Sequence, residues 1–455
     1  MIGSEDVKKN GEATPSPLER ARVRLLIYTH SITPRLSYTM DLLFENVLNV
    51  SYKLTDDLEN FKRSLLPKIA YTNSNDNFDV FIQSDELLFE AGIRNKLPEP
   101  QGTYHDFPVF FKSQENSFLP YDIFATVFYF ASRYEEYLPS QLDIHKRFQA
   151  EQSLAFKHGF LNKPFLNYLI EDLAAKLQLK FPDLKFKKRT FNFLSTIDID
   201  NAFAFANKGF KRNSGGLIKD VVSLNFKQIS SRILSNLNSE NDPYNTFDKI
   251  NSLSKETQTA LQYFVLIGDH STYDKNPRHT SKGFRGLLQK LSSEFMLGLH
   301  PSYESFHYPK KVEKEKNRLE NILEKKVSSA RCHFLRIKFP ETYRTFIKSG
   351  ITDDYTMIYA SQPGFRTGLC ISYKWFDLDK NTETNLIIHP STVMEGTLRD
   401  YNKLSPKEAS LVIEQLVSEV KKFGGEFVSV WHNDSFVPEQ KEWVEVYKSM
   451  LLQIK

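Results

Sequence analysis

Two cysteines, Cys332 and Cys370, are all that the 455-residue chain contains. So few thiols exclude a disulfide framework and a zinc site built mainly from cysteine, and they fit a reducing compartment. The chain also lacks a strong excess of charge, because 60 Lys and Arg residues oppose 56 Asp and Glu residues for a formal net charge of +4. Such a small excess over this length argues against nucleic acid as the main partner.

Long hydrophobic runs are also missing. No stretch approaches the ~18–20 apolar residues that are needed to cross a bilayer. Residues 1–20 lack the apolar core of a secretory signal, and we expect them to form a flexible tail. We therefore expect a cytoplasmic protein without a membrane span. With 40% apolar and 13% aromatic residues, the chain can supply cores for two domains.

The first part of the chain mixes strand and helix patterns. Residues 23–29 form an apolar run that is typical of a buried strand, and residues 121–138 carry apolar side chains at helical spacing. The segment 181–189 is basic and turn-like, so we place a domain boundary there. We predict a mixed α/β domain of unknown role over residues 21–188 and a second domain over residues 189–455.

In the second domain, apolar runs repeatedly end in polar residues. Residues 191–197, 261–267 and 296–299 have the pattern of strands, and a helical pattern occupies residues 282–294. Alternating strands and helices favour a parallel sheet that is arranged as a complete or partial barrel. Catalytic groups in such folds often lie at the carboxyl ends of the strands.

Asp198 and Asp200 come directly at the end of the first of these runs. In an extended chain, residues two apart point to the same side, so both carboxylates would face one pocket. A divalent cation would allow two adjacent carboxylates to stay ionised at neutral pH. A polar strand end, in which Asp200 or Asn201 caps the next helix, fits the pattern equally well.

His300 ends the apolar run at residues 296–299 and is followed by Pro301, which fits the first turn of a helix. A helix there would place Glu304 on the same face as His300. Imidazole and carboxylate groups suit Zn²⁺ and related divalent ions, and three protein ligands leave a position for water. A histidine at a strand end is also a common hydrogen-bonded structural residue.

Together these two segments resemble the motifs of the polysaccharide deacetylase, or NodB-homology, family. The resemblance implies that Asp198 is the catalytic base and that Asp200 and His300 bind a metal. The family has a second histidine where this chain has Glu304. The third ligand is therefore open: Glu304 replaces that histidine, His307 substitutes for it, or metal binding is weakened.

An arginine is the centre of the family's third motif, and Arg331 falls at the expected place. The resemblance implies that Arg331 holds Asp198 through a charge-assisted hydrogen bond. Arg366, which is bracketed by two glycines, competes for this role, and spacing alone does not decide between them. A surface strand with alternating basic residues would also explain the segment around Arg331.

The last two motifs of the family correspond to segments near Asp354 and His432. The resemblance implies that His432 is a general acid that protonates the departing amine. It also implies that Asp354, or its neighbour Asp353, orients this histidine. The motifs follow one another in the family's order, which is stronger evidence than any one of them alone.

Charged residues also cluster in the first domain, where Arg133, Glu135 and Glu136 follow the predicted helix. This region resembles a domain of unknown role that precedes some bacterial deacetylases. We interpret its charges as a structural ion-pair network rather than as a second active site.

The resemblance implies an α/β protein with a C-terminal deformed (β/α) barrel of NodB type and a smaller N-terminal mixed α/β domain. It implies a metal-dependent hydrolase of the amidase class that removes an N-acetyl group from a carbohydrate or a sugar-containing intermediate. The expected cofactor is a divalent metal, Zn²⁺, and the expected partner is an N-acetylated sugar or glycan intermediate. The alternatives are a hydrolase of another small-molecule C–N bond and a non-catalytic carbohydrate-binding or scaffold protein that has lost a metal ligand.

Overall fold

The structure is a computed structural model that describes residues 24–453, apart from the side chain of Lys211. The predicted tail at residues 1–20 lies outside the described residues. Within residues 24–453, none of the helices has the length and apolar character that crossing a membrane requires.

The N-terminal region contains a small parallel sheet. Its strands are β1 (Leu25–Thr29), β2 (Tyr52–Thr55), β3 (Lys68–Thr72) and β4 (Phe81–Gln83), in the order β2-β1-β3-β4. A separate antiparallel pair consists of β5 (Thr103–Tyr104) and β6 (Phe107–Pro108). The helices are α1 (Pro34–Met40, continued by a π-helical segment at Asp41–Val47), α2 (Leu58–Arg63), α3 (Ile123–Ala131), α4 (Leu154–Lys157) and α5 (Phe165–Lys180).

Helix α3 is buried along its whole length, so its sequence is apolar on all sides rather than on one face. Asp122 caps its N-terminus by accepting two backbone N–H groups of the first turn, and it also accepts the hydroxyl of Tyr71 at 2.7 Å. The sequence pattern predicted a helix as far as residue 138. The helix ends earlier because Arg133 has a left-handed backbone conformation with φ of 56°. A separate 3₁₀ turn, Tyr134–Tyr137, follows it.

The C-terminal region contains a larger sheet of nine strands. Its strands are β7 (Asn192–Ile199), β8 (Ala260–Leu266), β9 (Met296–His300), β10 (Ser329–Ala330), β11 (Asp353–Asp354), β12 (Tyr373–Asp377), β13 (Thr382–Ile388), β14 (Ser391–Met394) and β15 (Glu426–His432). Their order across the sheet is β12-β13-β11-β10-β9-β8-β7-β15-β14, and all neighbours are parallel except β12 and β13.

Eight longer helices accompany this sheet in the described part of the chain. They are α6 (Phe210–Val222), α7 (Phe226–Leu237), α8 (Phe247–Thr257), α9 (Lys282–Ser292), α10 (Lys310–Leu323), α11 (Glu341–Lys348), α12 (Pro406–Lys422) and α13 (Lys441–Leu452). The predicted alternation of strands and helices is therefore present from β7 to β10.

The large sheet is curled into a half-barrel, and a short link in the chain explains why. Strand β13 pairs with β11 and strand β14 pairs with β15, yet only His389 and Pro390 separate β13 from β14. The eight strands from β13 to β14 would span roughly 34 Å in a flat sheet, whereas the link from Ile388 to Ser391 reaches only about 11 Å. The two ends of the sheet must therefore approach each other, which gathers the carboxyl ends of its parallel strands.

The two regions share apolar contacts across the predicted boundary at residues 181–189. Tyr38 of α1 and Phe128 of α3 pack on Phe376 of β12, with ring centroids 5.0 and 5.2 Å apart. Tyr38 also donates its hydroxyl to the backbone carbonyl of Lys374 at 3.0 Å. The N-terminal region therefore packs against the outer strands of the curled sheet.

A buried ion-pair network also joins the two regions. Arg133 lies 2.9 Å from Glu135 and 2.8 Å from Glu136. Arg366 donates from Nε to the same Glu136 at 2.9 Å. Each buried carboxylate faces a guanidinium group, which offsets the cost of removing the charges from water. Arg366 is thus held by the N-terminal region.

His389 holds the seam between β13 and β14. Its Nε2 lies 3.0 Å from Asp353 Oδ1 in β11, and its Nδ1 lies 3.2 Å from Glu426 Oε2 in β15. Its ring stacks on Tyr355 with centroids 4.4 Å apart. Burial would lower the pKa of His389, but the two carboxylates outweigh it and raise the pKa to about 9. A protonated imidazole therefore joins strands on both sides of the seam.

This ion pair predicts a pH dependence of stability. The folded-state pKa of about 9 exceeds the value of about 6.5 for an unfolded chain. The stabilisation should thus be complete below about pH 6.5 and be lost as the pH rises through about 9. We expect wild type to have a higher free energy of unfolding than His389→Asn, as measured by urea denaturation. This difference between the two proteins should be about 2–3 kcal/mol larger at pH 6 than at pH 10. A difference that does not change with pH would contradict this role.

Candidate metal centre

Strands β7 and β9 deliver carboxylates and an imidazole to one place at the carboxyl edge of the curled sheet. Asp198 is the second-last residue of β7, Asp200 follows this strand, and His300 ends β9. His300 Nε2 lies 3.1 Å from Asp200 Oδ1 and 3.8 Å from Asp198 Oδ2. The three side chains meet although β8 lies between the two strands.

A third group, His333, completes a set of possible metal ligands. It lies in the loop after β10, and its Nε2 is 3.3 Å from Asp200 Oδ2. Asp200, His300 and His333 each offer one ligand atom, and these atoms all lie within 4.8 Å of one another. The three residues can therefore hold a metal ion.

Glu304, the expected third ligand, does not belong to this group. The helix predicted after Pro301 does not form; the chain instead makes one 3₁₀ turn at Tyr303–Phe306. With three residues per turn, positions four apart do not share a face. His307, the other candidate, lies 3.2 Å from the Arg336 guanidinium through its Nε2. His333, rather than Glu304 or His307, lies with Asp200 and His300.

The sequence carried a weak signal for His333. It lies two residues after Arg331, the same spacing that separates Asp198 from Asp200. However, β10 has only two residues, too few to show an alternating pattern. The sequence pattern therefore predicts a role for Arg331 but none for His333.

A buried carboxylate orients His333. Its Nδ1 lies 3.0 Å from Asp274 Oδ1, so its Nε2 is the nitrogen that faces Asp200. Asp274 also accepts the backbone N–H of Tyr303 at 2.8 Å. A carboxylate behind a metal-binding imidazole fixes the ring and makes the metal-facing nitrogen more basic.

The donor geometry fits a divalent cation. Atoms that each lie ~2.0–2.2 Å from one ion at tetrahedral or octahedral angles are roughly 3.0–3.5 Å apart. Each imidazole Nε2 lies at such a distance from one of the two Asp200 oxygens, 3.1 Å from Oδ1 for His300 and 3.3 Å from Oδ2 for His333. Asp200 Oδ1 is also buried and accepts no hydrogen bond from the described residues. One carboxylate and two imidazoles are ligands that suit Zn²⁺ and related divalent ions.

The electrostatics of the group favour a positive charge. Burial would lower the pKa of His333, but Asp200 and Asp274 raise it to about 9. Burial would raise the pKa of Asp200, but the neighbouring imidazoles, His333 first among them, hold it well below its usual range. The negative charge of the carboxylates keeps a proton on the imidazole. The same negative charge attracts a metal cation to this place.

Asp198 is bound by an arginine on the side away from His300. Arg331 donates from Nη1 to Asp198 Oδ1 at 2.7 Å and from Nε to the backbone carbonyl of Tyr355 at 3.0 Å. Arg331 is fully buried. Of the two predicted arginines, the structure brings Arg331 to Asp198, whereas Arg366 is bound in the ion-pair network with the N-terminal region.

His432, the last residue of β15, also faces the metal ligands. Its Nε2 lies 3.7 Å from Asp200 Oδ2, and its Nδ1 lies 2.8 Å from Glu395 Oε1. The buried Glu395 also accepts the backbone N–H of His432 and the hydroxyl of Ser435, both at 2.8 Å. Burial would lower the pKa of His432, but Glu395 and the nearby aspartates raise it well above its usual value.

Asp354, which was expected to orient His432, lies elsewhere. It accepts the hydroxyl of Tyr343 at 2.7 Å, and burial raises its pKa to about 6. Asp353, the alternative, instead contacts His389 at the seam between β13 and β14. The orienting carboxylate is Glu395, which follows β14. The signal for it was the same as for the other site residues, a charged side chain directly after a short apolar strand.

Parts of this chain are similar to a known protein family and to a solved structure. Residues 25–182 match the profile of a family described as a family of unknown function, DUF7033. No curated protein matches the chain. The chain is similar to a solved structure from Mycobacterium smegmatis that is described as a putative polysaccharide deacetylase, with 12% sequence identity and a TM-score of 0.40. The similarity covers 59% of this chain and 85% of that chain.

The geometry predicts which side chains bind metal. We expect purified protein to take up a divalent cation, and His333→Ala to reduce its affinity by at least about 100-fold. Asp274→Asn should reduce the affinity by about 10–100-fold, because it weakens the support of the His333 ring. Competition with a coloured chelator measures both effects. Glu304→Gln is the control and should bind like wild type; a loss as large as that of His333→Ala would return the ligand role to Glu304.

Proposed function

We propose that this protein is a metal-dependent hydrolase that removes an N-acetyl group from a carbohydrate or a sugar-containing intermediate. One observation carries the proposal: three residues that can hold a metal ion lie within 4 Å of both an arginine-bound carboxylate, Asp198, and a carboxylate-bound imidazole, His432. A metal-dependent amide hydrolase uses these three parts, because the cation polarises the carbonyl, the base activates water and the acid protonates the leaving amine.

The curled sheet supports the same proposal at the level of the fold. Strands β7 to β11 follow one another in chain order, and the consecutive strands β13 and β14 connect β11 back towards β15, the neighbour of β7. This order supports a deformed (β/α) barrel of NodB type, which we propose for the C-terminal region. The functional residues then lie at the carboxyl ends of the strands, where barrel enzymes carry their active sites.

Asp200, His300 and His333 would hold the metal, for which we propose Zn²⁺. When bound, the cation polarises the amide carbonyl and increases the acidity of water. With three protein ligands, coordination positions remain open for substrate and water.

Asp198 is the proposed base. Arg331 binds its Oδ1 and fixes the direction of the carboxylate, so Oδ2 is left on the side of His300, 3.8 Å from its Nε2. This oxygen can accept the proton that water loses as it attacks the carbonyl carbon. Arg331 therefore positions Asp198 but does not itself contact the reacting atoms.

His432 is the proposed acid. Glu395 keeps a proton on its imidazole and orients the ring through Nδ1, so Nε2 is directed towards Asp200. When the tetrahedral intermediate collapses, Nε2 donates its proton to the departing amine, and acetate is released. Base and acid thus come from the neighbouring strands β7 and β15, whose register pairs Asp198 with His432.

The scaffold alternative is weakened by His333. That alternative depended on the missing histidine at position 304, and His333 supplies an imidazole from another loop. An assay of acetate release from N-acetylated sugars, free and lipid-linked, and from small amides tests the function. Release from sugars and not from small amides supports the proposal. Metal-loaded protein that releases amines only from unrelated amides would assign it to another C–N hydrolase.

Replacement of the proposed base separates catalysis from metal binding. We expect Asp198→Asn to lower kcat by about 10²–10⁴-fold while the metal content stays unchanged, because Asp198 is not one of the three ligands. Asp200→Ala should lose both activity and metal. Steady-state kinetics and elemental analysis on the same preparations measure the two effects. Equal metal loss in both variants would contradict their separate roles.

Replacement of Glu395 tests the acid. The charge of Glu395 raises the pKa of His432, so Glu395→Gln should lower that pKa while an amide oxygen can still bind Nδ1. His432 would then lose its proton at lower pH, and the alkaline limb of the kcat profile should move down by at least about one pH unit. Asp354→Asn is the matched control and should leave this limb in place. An unmoved limb in Glu395→Gln would exclude His432 as the acid.

A further inference from the structure

Helices α6 and α7 form a hairpin, residues 210–237, that exposes its apolar side chains. Phe210 is 86% exposed, Phe226 73% and Leu237 80%. Among its described side chains, the buried ones are polar, namely Asp220 and Ser235. This arrangement is the reverse of a helix pair that packs on a protein core. The exposed large apolar residues of the hairpin are Phe210, Ile218, Val221, Val222, Leu224, Phe226, Ile233, Leu234 and Leu237.

The spacing of these residues gives each helix of the hairpin an exposed apolar face. On α6, positions 218, 221 and 222 share one face, and on α7, positions 226, 233, 234 and 237 share another. Elsewhere in the described chain, exposed apolar residues occur singly or in small groups, such as Leu179 alone and Leu65 beside Leu66. Scattered residues are ordinary, whereas a contiguous exposed apolar patch marks a surface that docks on something.

Polar contacts hold the two helices together and leave their apolar faces free. Arg232 on α7 lies 2.8 Å from the buried Asp220 on α6. Asn213 donates its side-chain amide to Asn236 at 2.6 Å. Because the helices meet through charged and amide groups, their apolar side chains are not needed for the contact between them.

The net positive charge of the chain lies in the hairpin and the three residues before it. Residues 207–237 contain one acidic residue, Asp220, and six basic residues. This segment has a net charge of +5, and since the whole chain has +4, the remainder has −1. The basic residues are Lys208, Lys211, Arg212, Lys219, Lys227 and Arg232. An exposed apolar face combined with a basic excess is typical of helices that lie at the surface of anionic membranes.

The hairpin lies beside the candidate metal centre. Arg212, in the first turn of α6, donates to the backbone carbonyls of Lys275 and Asn276 at 2.8 and 3.0 Å. These two residues directly follow Asp274, the carboxylate that orients His333. Any external surface on which the hairpin docks would therefore lie close to the candidate metal centre.

We propose that the α6–α7 hairpin docks this protein on an anionic lipid surface. Its apolar side chains enter the boundary between headgroups and acyl chains, and its exposed lysines, Lys219 and Lys227, lie among the anionic headgroups. The inference goes beyond the proposed hydrolase activity and does not depend on it. If both hold, the site acts at the surface where sugar-bearing amphiphiles reside.

Sedimentation with lipid vesicles tests the proposal. We expect the full chain to bind vesicles of phosphatidylcholine mixed with phosphatidylglycerol, to bind phosphatidylcholine alone at least about tenfold more weakly, and to be released by added salt. The double variant Phe226→Ser/Leu237→Ser should bind the mixed vesicles at least about tenfold more weakly than wild type. Leu65→Ser/Leu179→Ser removes equally exposed apolar residues outside the hairpin, and it should bind like wild type.

Metal content and melting temperature show that each variant is folded, and unchanged metal content separates a failure of docking from a failure of the proposed function. The proposal is overturned if the mixed vesicles do not bind wild type, or if both double variants lose binding equally. It is also overturned if analytical ultracentrifugation shows a concentration-dependent dimer that Phe226→Ser/Leu237→Ser abolishes, since the apolar faces would then serve self-association.

Discussion

The link of two residues between β13 and β14 is the constraint on which the rest of the C-terminal region depends. It joins strands that pair with β11 on one side and β15 on the other. Because the link is short, the sheet cannot lie flat, and its parallel strands direct their carboxyl ends towards one another. Residues as distant in sequence as Asp200, His300 and His432 therefore share one site. Without the curl, these side chains would line a long edge.

Histidines that contact carboxylates fall into two kinds in this protein. The two kinds differ in how many ring nitrogens of the imidazole lie against a carboxylate. His389 has a carboxylate at both nitrogens, so it is a closed structural contact across the seam. His333 and His432 each have one nitrogen on a buried carboxylate, Asp274 or Glu395, and direct the other towards Asp200. The second arrangement leaves a nitrogen for a ligand or a proton, which is what a reactive site requires.

Local patterns in the sequence were sufficient for much of the fold and for part of the site. The apolar runs that end at Asp198, His300 and His432 predicted strands that the structure contains, because alternation and apolar run length are properties of neighbouring residues. The same reasoning placed Asp198 and Asp200 on one side of a strand end. It failed where a local assumption was wrong: the helix predicted after Pro301 is a 3₁₀ turn, so Glu304 does not share a face with His300.

The sequence by itself thus determined that acids and imidazoles end successive strands of an α/β protein. Only the tertiary structure decided which of them meet: His333 as the third possible ligand, Arg331 as the partner of Asp198, and Glu395 as the partner of His432. The physical reason is that each of these contacts joins separate strands or loops, so it depends on how the sheet curls and on the register of its strands. Neither quantity is a property of neighbouring residues.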